Sequence, residues 1–165
     1  MDAARRLFES SLPDFEITCD DAVRSMAQYT ESPIESLLGA AIWMTLAGFA
    51  IRHPEMCGTK FVGLCPPSGG DFKDYALVLM PQFEWSGYRI DFAIRNKNMR
   101  VVFVECDGHD FHERTKAQAA RDRAKDRAAQ LADIPIMRFT GSEIWRDPVK
   151  CAADVLNMLA RQLAK

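Results

Sequence analysis

The sequence predicts an α/β domain in which helices pack on a small mixed sheet, and three observations predict it. Tyr75 to Cys106 holds three β-type runs separated by turn chemistry. Glu113 to about Ala132 is rich in Ala, Arg, Lys and Gln and has no Gly or Pro, as a strong helix does. Pro148 to Ala164 carries Val149, Ala152, Ala153, Leu156, Leu159 and Leu163 on one side of a helix. The order is helix, three-stranded meander, helix, strand, helix, which is a two-layer solution to burying one core. With 165 residues the chain suits one domain, taken as an N-terminal helical extension over 1–31, a core over 32–146 and a C-terminal helix over 147–165.

Each element has a local reason. Residues 3–10 read as a short helix that Pro13 breaks, and Asp20-Asp21 can start a second one through about Tyr29. Ser32-Pro33-Ile34-Glu35 is a compact helix start, with Ser32 as N-cap, Pro33 at the first helical position and Glu35 in capping-box spacing. The helix from Pro33 to about Ala47 is apolar on most faces, hence buried, and Gly48 and Pro54 are read as ending it. Residues 53–73 form an irregular insert with a short strand at Phe61-Val62. The meander is Tyr75 to Met80, then Tyr88 to Ile94 beyond a turn at Ser86-Gly87, then Arg100 to Cys106 beyond Asn96-Lys97-Asn98. Ala117, Ala120, Ala124, Ala128 and Leu131 make a narrow apolar stripe on the charged helix. Ile134 to Phe139 is a buried strand, and Gly141 to Trp145 a turn or helical turn whose Trp145 packs on the last helix.

Composition narrows the function. Lys and Arg number 21 against 23 Asp and Glu, a net charge of -2, which argues against a polybasic binder. The balance is uneven: residues 1–80 sum to -5 and residues 81–165 to +3, so an anionic partner belongs to the C-terminal half. No run reaches the ~18 apolar residues of a membrane span, Leu37 to Ile51 being the longest. The N-terminus lacks the pattern of a secretory signal, and five scattered cysteines form no CxxC pair. These features give the expectation of a cytoplasmic protein with reduced, mostly buried thiols and no membrane association.

Chemistry concentrates in YRIDFAI and RVVFVECDGHDFH. Alternation puts Ile90 and Phe92 on one face of their strand and Asp91 on the other. On the next strand Glu105 shares a face with Phe103 and Asp107, opposite Val102, Val104 and Cys106. Pairing across the Asn96 turn then lets Asp91 face Glu105. Carboxylates gathered at one end of an apolar sheet repel and resist burial. A hard cation such as Mg²⁺ relieves both. His109 and His112 follow closely enough to move a proton at that site. Bland alternatives exist for each residue: Asp91 paired with Arg89 or Arg95, Asp107-Gly108 as a turn, the histidines as surface or capping groups. The conjunction within 22 residues favours a site.

With these residues in view, Gln82 to Phe139, with Glu35 upstream, resembles the PD-(D/E)XK nuclease superfamily, nearest the branch of very short patch repair endonucleases. The resemblance rests on SPIESLL, PQFEWSGYRIDF, VVFVECDGHDFH, RDRAKD and IPIMRF in that order. It implies a restriction-endonuclease-like core and a DNA endonuclease that uses Mg²⁺ or Mn²⁺. It makes Asp91 the central metal-binding aspartate, Glu105 the second acid, and Glu35 a third acid that approaches from the first helix. Asp107 stands where the standard motif has lysine. In the repair branch that position and one five residues later are histidines; here only the second, His112, is, which makes it the general base or acid, with His109 as alternative. Arg114, Lys116 and Arg121 are the phosphate-contact candidates on the following helix, whose other charges read as solvated i,i+4 partners such as Asp122 with Lys125. A homodimer or a targeting partner is also expected. The alternatives are a catalytically inactive nuclease-fold module for nucleic-acid binding or assembly, and an enzyme for another phosphoester.

Overall fold

The structure, a computed structural model, describes residues 19–53, 62–108 and 116–163. Its elements are α1 (Cys19–Met26), α2 (Pro33–Arg52), β1 (Val62–Leu64), β2 (Leu77–Trp85), β3 (Tyr88–Asn96), β4 (Val101–Asp107), α3 (Lys116–Leu131), β5 (Ile136–Thr140), α4 (Gly141–Arg146) and α5 (Pro148–Leu163). The strands form one sheet in the order β1-β2-β3-β4-β5. The middle three are an antiparallel meander, and the outer two add parallel to it. This is the mixed α/β fold expected, of restriction-endonuclease-like type. The helix expected over residues 3–10 lies outside the described residues.

One face of the sheet carries the main core. Leu79, Phe92, Ile94, Val102 and Val104 meet Met26 of α1, Leu38, Ile42 and Leu46 of α2, and Val155 and Leu159 of α5, all at most 1% exposed. A Cβ on Gly39 would sit 2.7 Å from both Met26 and Phe92, so glycine is what lets α2 lie this close to the sheet. The other face holds a smaller cluster in which Ile90, Ala93 and Phe103 pack against Ala129 of α3. Trp85 adds its ring edge-on to Phe103 at 5.1 Å.

Several boundaries differ from expectation. Gly48 does not end α2, which runs to Arg52 and closes with the His53 N–H donating to the Phe49 carbonyl just before Pro54. Packing overrides the intrinsic cost of an interior glycine. At 20 residues α2 is long and apolar enough to cross a membrane by length and composition, contrary to the shorter run read from the sequence. In the fold its apolar surface is spent on α5, α1 and the sheet. β2 does not stop at Met80 but continues through Pro81 to Trp85. β1 pairs only as far as Leu79, so Pro81 falls where β2 has an open edge and its missing N–H breaks no ladder there.

Strict alternation fails at one point. Phe92 and Ile94 face the main core, but Ile90 joins Ala93 and Tyr88 on the opposite face, not Phe92 as alternation required. β2 changes phase at the same level: Leu77 and Leu79 face the main core, whereas Phe83 and Trp85 face the smaller cluster. The switch sits at Gln82, whose backbone is left-handed (φ 49°), and at Asp91, its register opposite.

Two faces drawn from composition are corrected. The stripe of Ala117, Ala120, Ala124, Ala128 and Leu131 is not the buried side of α3: Leu131 is 91% exposed, and the buried residues are Lys125 and Ala129. The helix turns its charged side inward because that side has ionic partners in the sheet. Trp145 does not pack on α5; it is 74% exposed. Among the described cysteines, Cys19, Cys65, Cys106 and Cys151 are free thiols, and of these only Cys151 is buried.

Candidate active site

The phase switch places the first acid. The β3–β4 ladder ends at Phe92 opposite Val104, so the next pair in register is Asp91 and Glu105. There the strands part. The Cys106 N–H, which a continuing ladder would have used, donates instead to Asp91 Oδ2 at 2.7 Å. The alternative partners for Asp91 are engaged elsewhere: Arg89 forms a bidentate pair with Glu31 at 2.6 Å, and Arg95 donates to the Phe72 carbonyl. Burial pushes the Asp91 carboxyl up to about 7, and the charges of Glu105 and Glu35 add to that, while the Cys106 N–H and Lys125 oppose it.

Glu105 is 6% exposed and points, with Phe103, to the α3 side. Its Oε2 lies 2.6 Å from Lys125 Nζ, itself buried, and Lys125 also donates to the Arg89 carbonyl at 3.4 Å. Burial raises the Glu105 carboxyl, and Lys125 and Arg138 pull it back. Lys125 is the contact of the candidate site that sequence reading missed: expected as a solvated partner of Asp122, it instead holds a Glu105 oxygen in a buried ion pair. Its signal was the spacing Asp122, Lys125, Asp126, Ala129, an i, i+3, i+4, i+7 face with charge at three of its four positions.

Glu35 is set one step back. Its carboxylate accepts from the Glu31 N–H, from Ser32 Oγ and from Gln82 Nε2, the last at 2.8 Å. Ser32 Oγ caps the Glu35 N–H as expected, but the carboxylate returns to Glu31 rather than to Ser32 N–H. Gln82 therefore links Glu35 on α2 to the strand position opposite Asp91. Because a carboxylate only accepts, Nε2 must face Glu35 and Oε1 must point away.

Asp107 is buried and takes Arg138 NH1 at 3.2 Å, while Arg138 NH2 reaches Asp126 on α3 at 2.7 Å. The Asp107 carboxylate is thereby met by a positive charge from β5. Lys116 and Arg121 are exposed on α3, and Arg121 reaches the Gly87 carbonyl of the β2–β3 turn at 3.4 Å. His109, His112 and Arg114 lie outside the described residues. Burial and the surrounding acids push the Cys106 thiol up, and the side chain packs against the main core.

Among the described residues no cluster of three or more His, Cys, Asp and Glu side chains is arranged to hold a metal ion. What the site offers is two acids and two unmet acceptors: Glu105 Oε1 and Gln82 Oε1 are buried without a hydrogen-bond partner. Buried acceptors of this kind cost free energy unless a donor or cation meets them. A Mg²⁺ ion, which needs one or two carboxylates and keeps several waters, fits that donor set.

A cleft of about 880 Å³ opens beside Glu35. Glu35 and Ile34 of α2, Cys106 and Gly108 at the end of β4, and Trp145 and Arg146 of α4 line it.

A five-stranded mixed sheet with acids at the parting of two central strands, and a third acid on α2, is the architecture of a restriction-endonuclease-like domain. Residues 72–159, more than half of the chain, match the model of the REase_MTES_1575 family, which is restriction-endonuclease-like. The chain belongs to that family. No curated protein and no solved structure matches it.

Proposed function

We propose that the protein is a divalent-metal-dependent endonuclease that hydrolyses phosphodiester bonds in DNA. The observation that carries this reading is the pair Asp91 and Glu105, in register across parting strands, with Glu105 Oε1 buried and unmet. Asp91 and Glu105 would hold the cation, with Gln82 Oε1 beside them and Glu35 acting through Gln82. The cation, when bound, polarises the phosphate and neutralises charge on the leaving 3′ oxygen. Asp91 must be ionised to take part, and the Cys106 N–H favours that form. Lys125 fixes one Glu105 oxygen and leaves the other for the site. Proton transfer falls to His112, or to His109, in the segment after β4. Lys116 and Arg121 offer exposed positive charge to the DNA backbone.

A second reading is a nuclease-fold module that binds DNA or assembles without cutting. It is favoured by the Lys125 ion pair, which already neutralises Glu105 from within the chain. Plasmid incubated with Mg²⁺ or Mn²⁺ decides between them. The first reading expects nicking or linearisation that Asp91→Asn and a chelator each abolish. Cleavage that survives Asp91→Asn rejects the site; metal-independent DNA binding with no cleavage supports the module.

A further inference from the structure

Trp145 has no part in the acid site as described, yet it is held out in solvent by a fixed backbone. Ile144 beside it is fully buried. Thr140 caps α4 through a closed capping box with Glu143, and the Asp147 N–H closes the other end on the Glu143 carbonyl. An indole that is 74% exposed on such a support forgoes the free energy its apolar area would gain by burial. Two facts give that exposure a use. The next residue, Arg146, is also exposed, and both line the cleft that Glu35 and Cys106 line. Cys106 is the residue whose N–H holds Asp91.

We propose that Trp145 and Arg146 form a nucleotide subsite for the strand to be cut, with an unpaired base stacked on the indole and a phosphate on the guanidinium. This rests on the nuclease reading above and specifies its substrate class. Inside a duplex both faces of a base are covered by its neighbours, and an aromatic side chain enters only by unstacking a step at a cost. A single-stranded base offers its face freely and stacks without regard to sequence. Arg146 adds a planar fork that matches phosphate oxygens. The cleft's volume lies within the range of about 300–1,000 Å³ found for ligand pockets, and Trp145 and Arg146 line it together with Glu35 and Cys106. The substrate is therefore DNA with unpaired nucleotides beside the scissile phosphate, as in a single strand, an overhang or a flap.

The test measures binding in the Asp91→Asn background, by fluorescence anisotropy of a labelled oligonucleotide as a single strand and as a blunt duplex of the same sequence. The single strand is expected to bind more tightly. Trp145→Ala is expected to weaken the single strand by about tenfold while leaving the duplex nearly unchanged, and Trp145→Phe to keep most of the affinity. Thermal denaturation confirms that these exposed-site variants fold. Tighter binding of the duplex, no effect of Trp145→Ala, or an equal loss on both DNAs overturns the subsite. Plasmid cleavage by the wild-type protein reports separately on the nuclease reading: cutting together with a silent Trp145→Ala removes the subsite alone. A strand-selective loss in a protein that cuts nothing keeps the subsite and removes the nuclease.

Discussion

Glu105 Oε2 and Lys125 Nζ lie 2.6 Å apart with both side chains at most 10% exposed, so a strand of the meander and the following helix are joined by an ion pair taken out of water. Such a pair is costly to form and costlier to break, because the survivor is left as a lone buried charge. Lys125→Met is expected to destabilise the protein by ~3–5 kcal/mol. Adding Glu105→Gln should recover part of that loss. Urea denaturation of the two single variants and the double variant measures the coupling; a strictly additive double variant would show that the pair does not interact.

Asp91 makes metal-free stability depend on pH. Its folded pKa of about 7 lies above its ordinary value of 3.8, so the fold favours the protonated carboxyl. That contribution is fully present below the unfolded value and is lost as pH rises through the folded one. Each unit of difference is worth ~1.4 kcal/mol, so the whole effect is on the order of a few kcal/mol. In a chelator, the melting temperature of the wild-type protein relative to Asp91→Asn should fall between pH 4 and pH 8 (about 3.8 to 7 being the active window). At the upper end, Mg²⁺ should raise the wild-type melting temperature and leave that of Asp91→Asn unmoved.

Gln82 carries strain for its position. A non-glycine residue at φ 49° within a strand costs roughly 1–3 kcal/mol. Gln82→Gly relieves it and Gln82→Ala does not, while both lose the bond to Glu35. The glycine variant should be the more stable by ~1 kcal/mol, read from the urea midpoint at equal slope. Both variants should bind Mg²⁺ more weakly by titration calorimetry. Equal stability of the two would show that the left-handed backbone costs nothing.

The acids were legible in the sequence because Asp91 and Glu105 interrupt apolar strands, where a carboxylate is costly unless a donor or a positive charge meets it. The meander was legible from its turns, of which Ser86-Gly87 took up positive φ at both residues. Lys125 was not, since a lysine in RDRAKDR looks like its solvated neighbours until the helix is laid on the sheet. The phase switch was hidden for a related reason: Pro81-Gln82 reads as a strand's end, and only the pairing with β3 shows that the strand carries on. Trp145 was expected to pack on the last helix, whereas the six-residue α4 buries Ile144 and leaves Trp145 exposed. The extent of α2 past Gly48 likewise came from its neighbours rather than from local propensity.

The change of phase at Gln82 and Asp91 divides the β2–β3 hairpin into two compartments. On the Leu77 side of it, Leu79, Phe92 and Ile94 belong to the main core; on the other side Phe83, Trp85 and Ile90 pack in the smaller cluster, and Arg89 pairs with Glu31. No residue from Phe83 to Ile90 belongs to the main core, so a change of length confined to the Ser86-Gly87 turn leaves the main-core contacts of the hairpin in place. A one-residue insertion beside Gln82 or Asp91 does not: it shifts the crossing point itself and the register of the aspartate with Glu105. The reach of the hairpin tip is thus a property that the main core does not dictate.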